Sequence, residues 1–179
     1  MNNITVYINE KLRINKDSKN QYKYCPKNYK ELRKIIERIL SKKGVNADLN
    51  DIDTSNITTM ANLFMGLYPC NIDISQWNVS NVTDMNYMFF KCKHFNCDLS
   101  SWDVSNVTNM KGMFSNCENF KGDGLEKWDV SNVENMNYMF YRARKLNCNL
   151  NNWHVDNVKS VISIFDECDS LDIPSWYKK

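Results

Sequence analysis

The sequence is poor in the residues on which catalysis and chain reversal usually depend. It contains 2 histidines, 5 glycines and 3 prolines among 179 residues. It lacks the G-x-S-x-G, H-E-x-x-H, phosphate-loop and dinucleotide-binding patterns that mark common active sites. We therefore do not expect an enzyme, and we expect no cofactor and no bound metal. With so little glycine and proline, the turns must depend on asparagine, aspartate and serine, which are abundant.

Long apolar runs and targeting signals are also missing. No stretch approaches the ~18 apolar residues that a membrane-spanning helix needs. The first residues, MNNITVYINEKLRINK, alternate polar and apolar side chains and do not resemble a signal peptide. The expected location is cytoplasmic as the sequence stands, or the cell surface if an export leader has been removed. The 7 cysteines are an odd number and are expected to be reduced thiols.

The net charge of +2 hides an uneven distribution along the chain. Residues 1–50 carry 12 basic and 5 acidic side chains, a net charge of +7. Residues 51–179 carry 11 basic and 16 acidic side chains, a net charge of −5. The chain is therefore basic at its start and acidic behind it.

A repeat of about 25 residues dominates the sequence. The stretch WDVSNVTNMKGMF at 102–114 recurs with few changes at 77–89 and 128–140. The aligned tryptophans are separated by 25, 26, 25 and 23 residues. They are Trp77, Trp102, Trp128, Trp153 and Trp176. We count five units, of which the first has Ile52 at the tryptophan position.

Each unit divides into two halves with different periodicities. The first half reads L-x-x-W-x-V, as at Leu99, Trp102 and Val104, and predicts a short strand with tryptophan and valine on one face. The second half reads V-x-x-M-x-x-M-F-x-x-C, from Val107 to Cys117, and predicts about three turns of helix. Neither half can bury its apolar side chains alone, so the units must stack.

The predicted fold class is an α/β repeat solenoid of the leucine-rich-repeat kind. Its short parallel strands would lie on one face, about 4.8 Å apart, with short helices on the other face. The solenoid would occupy residues 46–179. Ser105 would cap the helix of its unit, and Ser131 with Glu134 would form a capping box in the fourth unit.

Residues 1–45 predict an N-terminal cap that would close one end of the solenoid. The alternation of Ile4, Val6 and Ile8, followed by Leu12 and Ile14, predicts a hairpin. After it, the pattern Asn28-x-x-Glu31 and the apolar residues behind it predict an amphipathic helix with a basic last turn. Gly44 would end that helix.

These motifs resemble a known family. WDVSNVTNMKGMF followed by NCENF, the half-unit NCDLSSWDVSNVT and the lead-in KYCPKNYKELRKII are similar to the BspA-like leucine-rich-repeat surface proteins, in particular to their mycoplasma-type branch of unknown function. The resemblance covers roughly residues 46–176, and its motif is specific. It implies a non-enzymatic binding role, often adhesion at the cell surface.

Two columns of equivalent polar residues admit structural and functional interpretations. An asparagine recurs in every unit, and we expect its side chain to bond from one unit to the next as a structural ladder. The column after tryptophan leaves three alternatives open, which are turn hydrogen bonding, an acidic partner-binding face and a metal site. The two columns are Asn56, Asn81, Asn106, Asn132 and Asn157, and Asp53, Asn78, Asp103, Asp129 and His154.

The cysteines also fall into columns. Cys92, Cys117 and Cys168 share a position that holds leucine or alanine in other units, which predicts a place in the core. The alternative is a zinc site built on Cys92-x-His94-x-x-Cys97, but no second pair of ligands follows at a matching spacing. A structural role is the better interpretation.

The function favoured by these patterns is a non-catalytic protein–protein interaction module that uses the outward sheet face and loops of the solenoid. The predicted partner-binding residues are Gln76, Asn78, Ser101, Asp103, Lys127, Asp129, Asn152 and His154. Three alternatives stay open: a phage or mobile-element inhibitor of a host defence protein such as a CRISPR nuclease, a surface adhesin, and a nucleic-acid-binding protein. The last would use the basic cap at Lys30, Arg33, Lys34 and Arg38.

Overall fold

The computed structural model describes residues 22–67 and 70–178. Within these ranges the regular elements are one α-helix, α1 (Tyr29–Lys43), and one short 3-10 helix, η1 (Leu125–Lys127). The rest is a regular succession of turns. The hairpin predicted for residues 4–14 lies outside the described residues.

Helix α1 begins and ends where its sequence predicts. The extended Asn28 is the N-cap, and its side-chain oxygen accepts a hydrogen bond of 3.0 Å from the Glu31 backbone N–H. The Glu31 carboxylate in turn accepts from the backbone N–H of Lys27, which satisfies a second free donor at this end. At the other end the Gly44 N–H donates to the carbonyl of Leu40. The sequence prediction of this helix is confirmed.

One face of α1 packs against the first repeat and closes that end of the core. Leu32, Ile35, Ile36 and Ile39 are buried there and belong to the same apolar cluster as the repeats. The hydroxyl of Tyr29 donates to the Ala61 carbonyl at 2.9 Å. The helix therefore covers the first repeat.

The predicted α/β solenoid of the leucine-rich-repeat kind is wrong. The described residues contain no extended strand, and the second halves of the repeats contain no helix. What the repeats share is a row of isolated parallel bridges of one residue pair each. This row joins Thr59 to Asp84, Asp84 to Asn109, Asn109 to Asn135, and Asn135 to Ser160.

The first half fails to form a strand because its apolar residues close turns instead of alternating. The Trp102 N–H donates to the Leu99 carbonyl at 3.1 Å, and the Val107 N–H donates to the Val104 carbonyl at 2.9 Å. Each bond spans three residues, as in a β-turn. The spacing L-x-x-W is therefore a turn spacing rather than part of a period of two.

The second half fails to form a helix because some of its backbone N–H groups donate within their own repeat and others donate to the next repeat. The Met113 N–H closes a turn on the Met110 carbonyl, whereas the Phe114 N–H donates to the carbonyl of Met139 in the next repeat. An α-helix would need both N–H groups to bond four residues back. Ser105 and Ser131 with Glu134 consequently cap no helix, and the Glu134 N–H donates to Thr108 of the preceding repeat.

Left-handed backbone conformations recur at equivalent positions of the repeats. Two positions of each repeat have a positive φ, and both fall in the segment predicted to be helical. Left-handed geometry costs a residue with a side chain about 1–2 kcal/mol, and each backbone hydrogen bond returns about 0.5–1.5 kcal/mol. The bonds between repeats thus offset the strain. The two columns are Asn62, Tyr87, Gly112, Tyr138 and Ser163, and Gly66, Lys91, Asn116, Arg142 and Glu167.

Stacked aromatic rings fill the core between the turns. The Phe114 ring is parallel to that of Phe89 at 5.4 Å between centroids and to that of Phe140 at 5.7 Å. Trp102 and Trp128 form a second stack, with centroids 6.3 Å apart and planes at 1°. Equivalent side chains therefore pack on one another, so that the middle repeats depend on neighbours at both sides.

Side-chain hydrogen bonds join successive repeats, and the predicted asparagine ladder is confirmed for four of its five members, whereas Asn56 of the first unit makes no such bond to a described residue. The side-chain amide of Asn106 donates to the Ser80 carbonyl of the preceding repeat at 2.8 Å. Asn81, Asn132 and Asn157 make the equivalent bond at 2.7–2.8 Å. The indole N–H of Trp102 likewise donates to the Ile74 carbonyl at 3.1 Å. The asparagines satisfy carbonyl oxygens that accept no backbone N–H among the described residues, whereas each indole adds a second hydrogen bond to a carbonyl that already closes a turn.

Four of the five residues in the column after tryptophan show turn hydrogen bonding, the first of its three alternatives, and His154 does not. A side-chain oxygen of Asp103 accepts from the backbone N–H of Ser105 at 3.1 Å, and Asp129 accepts from Ser131 at 3.0 Å. Asn78 makes the same bond to Ser80. Because the acceptor is a short side chain two residues before the donor, each is an Asx-turn.

Acid is expected to weaken these turns. Hydrogen bonds from Ser131 hold the pKa of Asp129 below its ordinary value, and the Ser100 N–H lowers the pKa of Asp98. A depressed pKa means that these carboxylates stabilise the fold above about pH 4, where the unfolded groups ionise. That contribution is lost as the pH falls through the folded pKa values. The double variant Asp98→Asn/Asp129→Asn should keep its turns, as Asn78 does, and lose less thermal stability than the wild type between neutral pH and pH ~3.

Thermal unfolding followed by circular dichroism across this pH range measures the difference. The control is Asp172→Asn, because Asp172 is exposed and has no hydrogen bond among the described residues. An acid sensitivity of the double variant equal to that of the wild type would contradict the role of the turn carboxylates.

One inserted glycine distinguishes the fourth repeat. Asp98 is followed directly by Leu99, whereas Asp123 is followed by Gly124 and then Leu125. Gly124 has φ 92° and is the N-cap of η1. The Lys127 N–H donates to the Gly124 carbonyl, and the Trp128 N–H donates to the Leu125 carbonyl. The insertion explains the spacing of 26 residues without disturbing the stack behind it.

Candidate functional site

The eight predicted partner-binding residues are all exposed and occupy two columns on either side of the buried tryptophans. We call this the corner surface; it consists of Gln76, Asn78, Ser101, Asp103, Lys127, Asp129, Asn152 and His154. The structure thus gives these residues the predicted exposure. Whether they bind a partner stays a prediction.

Several corner residues have a role within the fold. Asn78, Asp103 and Asp129 are the acceptors of the Asx-turns. The hydroxyl of Ser101 donates to the Ser75 carbonyl of the preceding repeat. Turn chemistry therefore accounts for the aspartates of this surface without a partner.

A second surface combines one exposed and three half-buried aromatic rings with cations, and sequence reasoning missed it. We call it the aromatic–basic face. The rings of Tyr87 and Phe90 meet edge to face with centroids 5.5 Å apart, and those of Tyr138 and Tyr141 do so at 6.2 Å. The face consists of Tyr87, Phe90, Lys91, Lys111, Tyr138, Tyr141 and Arg142.

Each cation of the aromatic–basic face lies over a ring. The Lys91 ammonium is 5.0 Å from the centre of the Phe90 ring, and that of Lys111 is 5.7 Å from the centre of Tyr87 in the preceding repeat. The Arg142 guanidinium is 5.3 Å from the centre of Tyr141. Attraction between a cation and a ring face holds these flexible side chains near defined positions.

A row of ion pairs borders this face. Glu167 accepts from Arg142 at 2.8 Å and from Arg144 at 2.6 Å, and these contacts lower the pKa of Glu167. Lys93 pairs with Glu118 at 3.0 Å. Lys91 and Lys111, by contrast, form no ion pair with any described residue. Among the three cations of the aromatic–basic face, uncompensated positive charge is therefore confined to these two lysines.

The backbone path places the rings outside the core. Tyr87 and Tyr138 occupy one of the left-handed positions, between two buried methionines. The signal in the sequence was the shared stretch MNYMF in the second and fourth units, whose tyrosine falls outside the methionine stripe. The contact between Lys111 and Tyr87 could not be foreseen, since it depends on how neighbouring repeats stack.

Of the three cysteines predicted to lie in the core, Cys92 and Cys117 are buried and Cys168 is half-buried. The thiols of Cys92 and Cys117 donate to the carbonyls of Phe64 and Phe89 at 3.0 Å. Burial raises the pKa of the Cys117 thiol and raises the pKa of Cys97 to about 11. These cysteines are protonated at neutral pH, so they are poor nucleophiles and poor metal ligands. Among the described residues, no group of three or more His, Cys, Asp or Glu side chains is placed to hold a metal ion.

A polar cavity of about 360 Å³ lies beside the inserted Gly124. Its lining includes the carboxylates of Asp98, Asp123 and Glu126 and the ammonium of Lys127. Its cysteine, Cys148, has a pKa raised to about 12 by burial. The lining contains no histidine that could activate a nucleophile.

The basic cap lies on the solvent side of α1. Lys30, Arg33 and Lys34 are exposed and Arg38 is half-buried. Arg33 pairs with Glu37 at 3.0 Å, so part of its charge is compensated within the helix. In the part of the chain that the structure describes, no helix is both long and apolar enough to cross a bilayer.

The geometry defines a repeat protein in which turns, rather than strands and helices, stack on one another and present side chains in columns. The chain belongs to the family described as Mycoplasma protein of unknown function, DUF285, which matches residues 31–125 and 123–179. The mycoplasma-type part of the resemblance found in the sequence is thereby confirmed. No curated protein and no solved structure matches the chain.

Proposed function

We propose that the chain is a non-catalytic binding module that recognises another protein through the aromatic–basic face. One observation carries this proposal. The positions of Tyr87 and Tyr138 hold Asn62, Gly112 and Ser163 in the other repeats, so the fold does not require rings there. Tyr138 is nevertheless 38% exposed, and tyrosine and arginine are among the residues whose truncation costs the most binding energy in protein interfaces.

The resemblance to BspA-like surface proteins supports a setting in which the module contacts another cell. A phage or mobile-element inhibitor of a host protein is the second setting, and it would use the same surface. Nucleic-acid binding through α1 has less support, because Arg33 is paired with Glu37 and Glu31 is engaged at the helix start.

Affinity capture with matched variants tests the proposal. The wild-type chain, immobilised and incubated with lysate of the cells that express it, should retain a protein that Tyr138→Ala/Tyr141→Ala does not retain. The control Gln76→Ala/Asn152→Ala removes two exposed side chains of the corner surface and should retain the same protein. Thermal unfolding of each variant must show that the repeats remain folded.

Binding of the captured protein, once purified, is then measured by calorimetry. The tyrosine variant should bind at least about tenfold more weakly than the wild type, as expected for truncation of interface hot spots. If the corner variant loses binding and the tyrosine variant keeps it, the corner surface is the working site. If no protein is retained by the folded wild type, the proposed function is wrong.

A further inference from the structure

We infer that the aromatic–basic face takes an acidic segment of its protein partner, with carboxylates on Lys91 and Lys111 and apolar side chains on the rings. This inference rests on the proposed function and specifies the chemistry of the partner. It follows from the shape of the face, from where its charge is left uncompensated and from the apolar side chains at its two ends.

The shape comes from Gly112, in the repeat between the two pairs of rings. Gly112 is buried, with φ 59°, and a Cβ atom there would overlap the Tyr87 ring, whose Cζ atom would lie 3.3 Å away. The ring therefore leans over the glycine of the next repeat, and Lys111 lies over that ring. The contact between Tyr87 and Lys111 thus spans two repeats, and the two side chains are preorganised before any partner binds.

The positive charge of the face is limited to a small area. Arg142 and Arg144 are neutralised by Glu167 and Asp169, and Lys93 is neutralised by Glu118. Of the three cations of the face itself, Lys91 and Lys111 have no carboxylate partner among the described residues, and each lies over a ring instead. Two fixed ammonium groups beside aromatic surface match a short run of carboxylates interspersed with apolar side chains.

A nucleic-acid strand fits this charge distribution less well. Its affinity depends mainly on many phosphate contacts, each with a cation of the protein. A strand that followed the columns beyond Lys91 and Lys111 would run beside the carboxylates of Glu118 and Glu167. A folded or extended protein segment needs only a few charge contacts, because it gains most of its affinity from apolar burial.

Exposed apolar side chains at both ends of the face favour a protein partner as well. Met65, in the first repeat, occupies the column of Phe90 and is 48% exposed. Ile162, in the fifth repeat, occupies the column of Lys111 and is 57% exposed. Side chains of leucine or phenylalanine in the bound segment would bury these surfaces, whereas a phosphodiester backbone would leave them in water.

The test measures direct binding of defined probes to the full chain by fluorescence anisotropy. The first probe is a labelled peptide of about 12 residues, in which aspartate and glutamate alternate with leucine and phenylalanine. The second replaces every carboxylate with its amide, and the third is a labelled oligo(U) RNA of about 20 nucleotides. The variants are Lys91→Glu/Lys111→Glu on the face and Lys30→Glu/Lys34→Glu on α1, which change the net charge equally.

We expect the acidic peptide to bind at least about tenfold more tightly than the amide peptide. The Lys91→Glu/Lys111→Glu variant should lose at least about tenfold in affinity for the acidic peptide, whereas the α1 variant should stay within about twofold. Tyr87→Leu, which keeps an apolar side chain but removes the ring beneath Lys111, should weaken the acidic peptide and leave the amide peptide nearly unchanged.

Three outcomes would overturn the inference. The first is equal affinity for the acidic and amide peptides. The second is an equal loss of affinity for the acidic peptide in the face variant and the α1 variant. The third is RNA binding that is tighter than peptide binding and depends on Lys91 and Lys111. Failure here, with a protein still captured through the tyrosines, would leave the proposed function standing. Failure of the capture experiment alone would overturn the proposed function.

Discussion

Replacing Phe114 with alanine is expected to lower the free energy of unfolding by about 3–5 kcal/mol, the usual range for a buried phenylalanine. The side chain is 0% exposed, and its ring contacts those of Phe89, Phe120 and Phe140. Alanine would leave a cavity inside a stack whose neighbouring rings are held by their own backbone turns. The surroundings therefore have little freedom to collapse into the space.

Urea unfolding followed by circular dichroism measures this effect. Because Phe114 lies in the third repeat, its loss should also uncouple the repeats on either side and lower the slope of the transition with urea. The matched control is Phe90→Ala, which removes the same side chain from a half-buried site beside Tyr87. That change should cost less than about 1.5 kcal/mol. An equal cost of the two substitutions would contradict a core built on stacked rings.

The positions of the core could be predicted from the sequence, but the backbone that carries them could not. The apolar residues of the third unit, from Leu99 to Phe114, are buried as their spacing indicated. A spacing of three residues, however, fits both a helical stripe and a series of β-turns. The two differ in whether an N–H such as that of Phe114 bonds within its own unit or to the next repeat. Which of the two bonds forms depends on how neighbouring repeats stack.

Some residues carried a signal for the turns. Gly112 and Asn116 occupy left-handed positions, and Asn62 and Gly66 do so in the first repeat. Glycine and asparagine are the residues that adopt such conformations most readily, so their recurrence within an apparent helix indicated turns. In the other repeats the same positions hold tyrosine, lysine, arginine, serine or glutamate, which hid the pattern.

The candidate site was less accessible to sequence reasoning than the core. The exposure of the corner surface followed from its place beside tryptophan, as at Asp103 and Asp129. What the sequence could not show is that these carboxylates are engaged in turns, while the cations of another surface are fixed over rings of the same or the preceding repeat. Such contacts depend on three-dimensional register across about 25 residues.

Gly124→Ala is expected to lower the free energy of unfolding by about 2–5 kcal/mol, the combined cost of overpacking and of a left-handed alanine. A Cβ atom at Gly124 would meet the backbone nitrogen of Ser100 and would lie 2.5 Å from its Cα and 2.7 Å from its Cβ. Two of these atoms belong to the backbone of the preceding repeat and the Cβ is bonded directly to it, so they cannot rotate away as the end of a long side chain could. Relief requires that the third and fourth repeats move apart.

Gly66→Ala separates the two causes of this destabilisation. Gly66 also has a positive φ, 73°, but no described atom lies within 4 Å of the place a Cβ would take. Its replacement should cost about 1–2 kcal/mol, from left-handed geometry alone. The excess cost at Gly124, measured by urea unfolding, then reports the close approach of the third and fourth repeats. If the two alanine variants unfold at the same urea concentration, the insertion is not packed against Ser100, and the stack is looser there than its hydrogen bonds indicate.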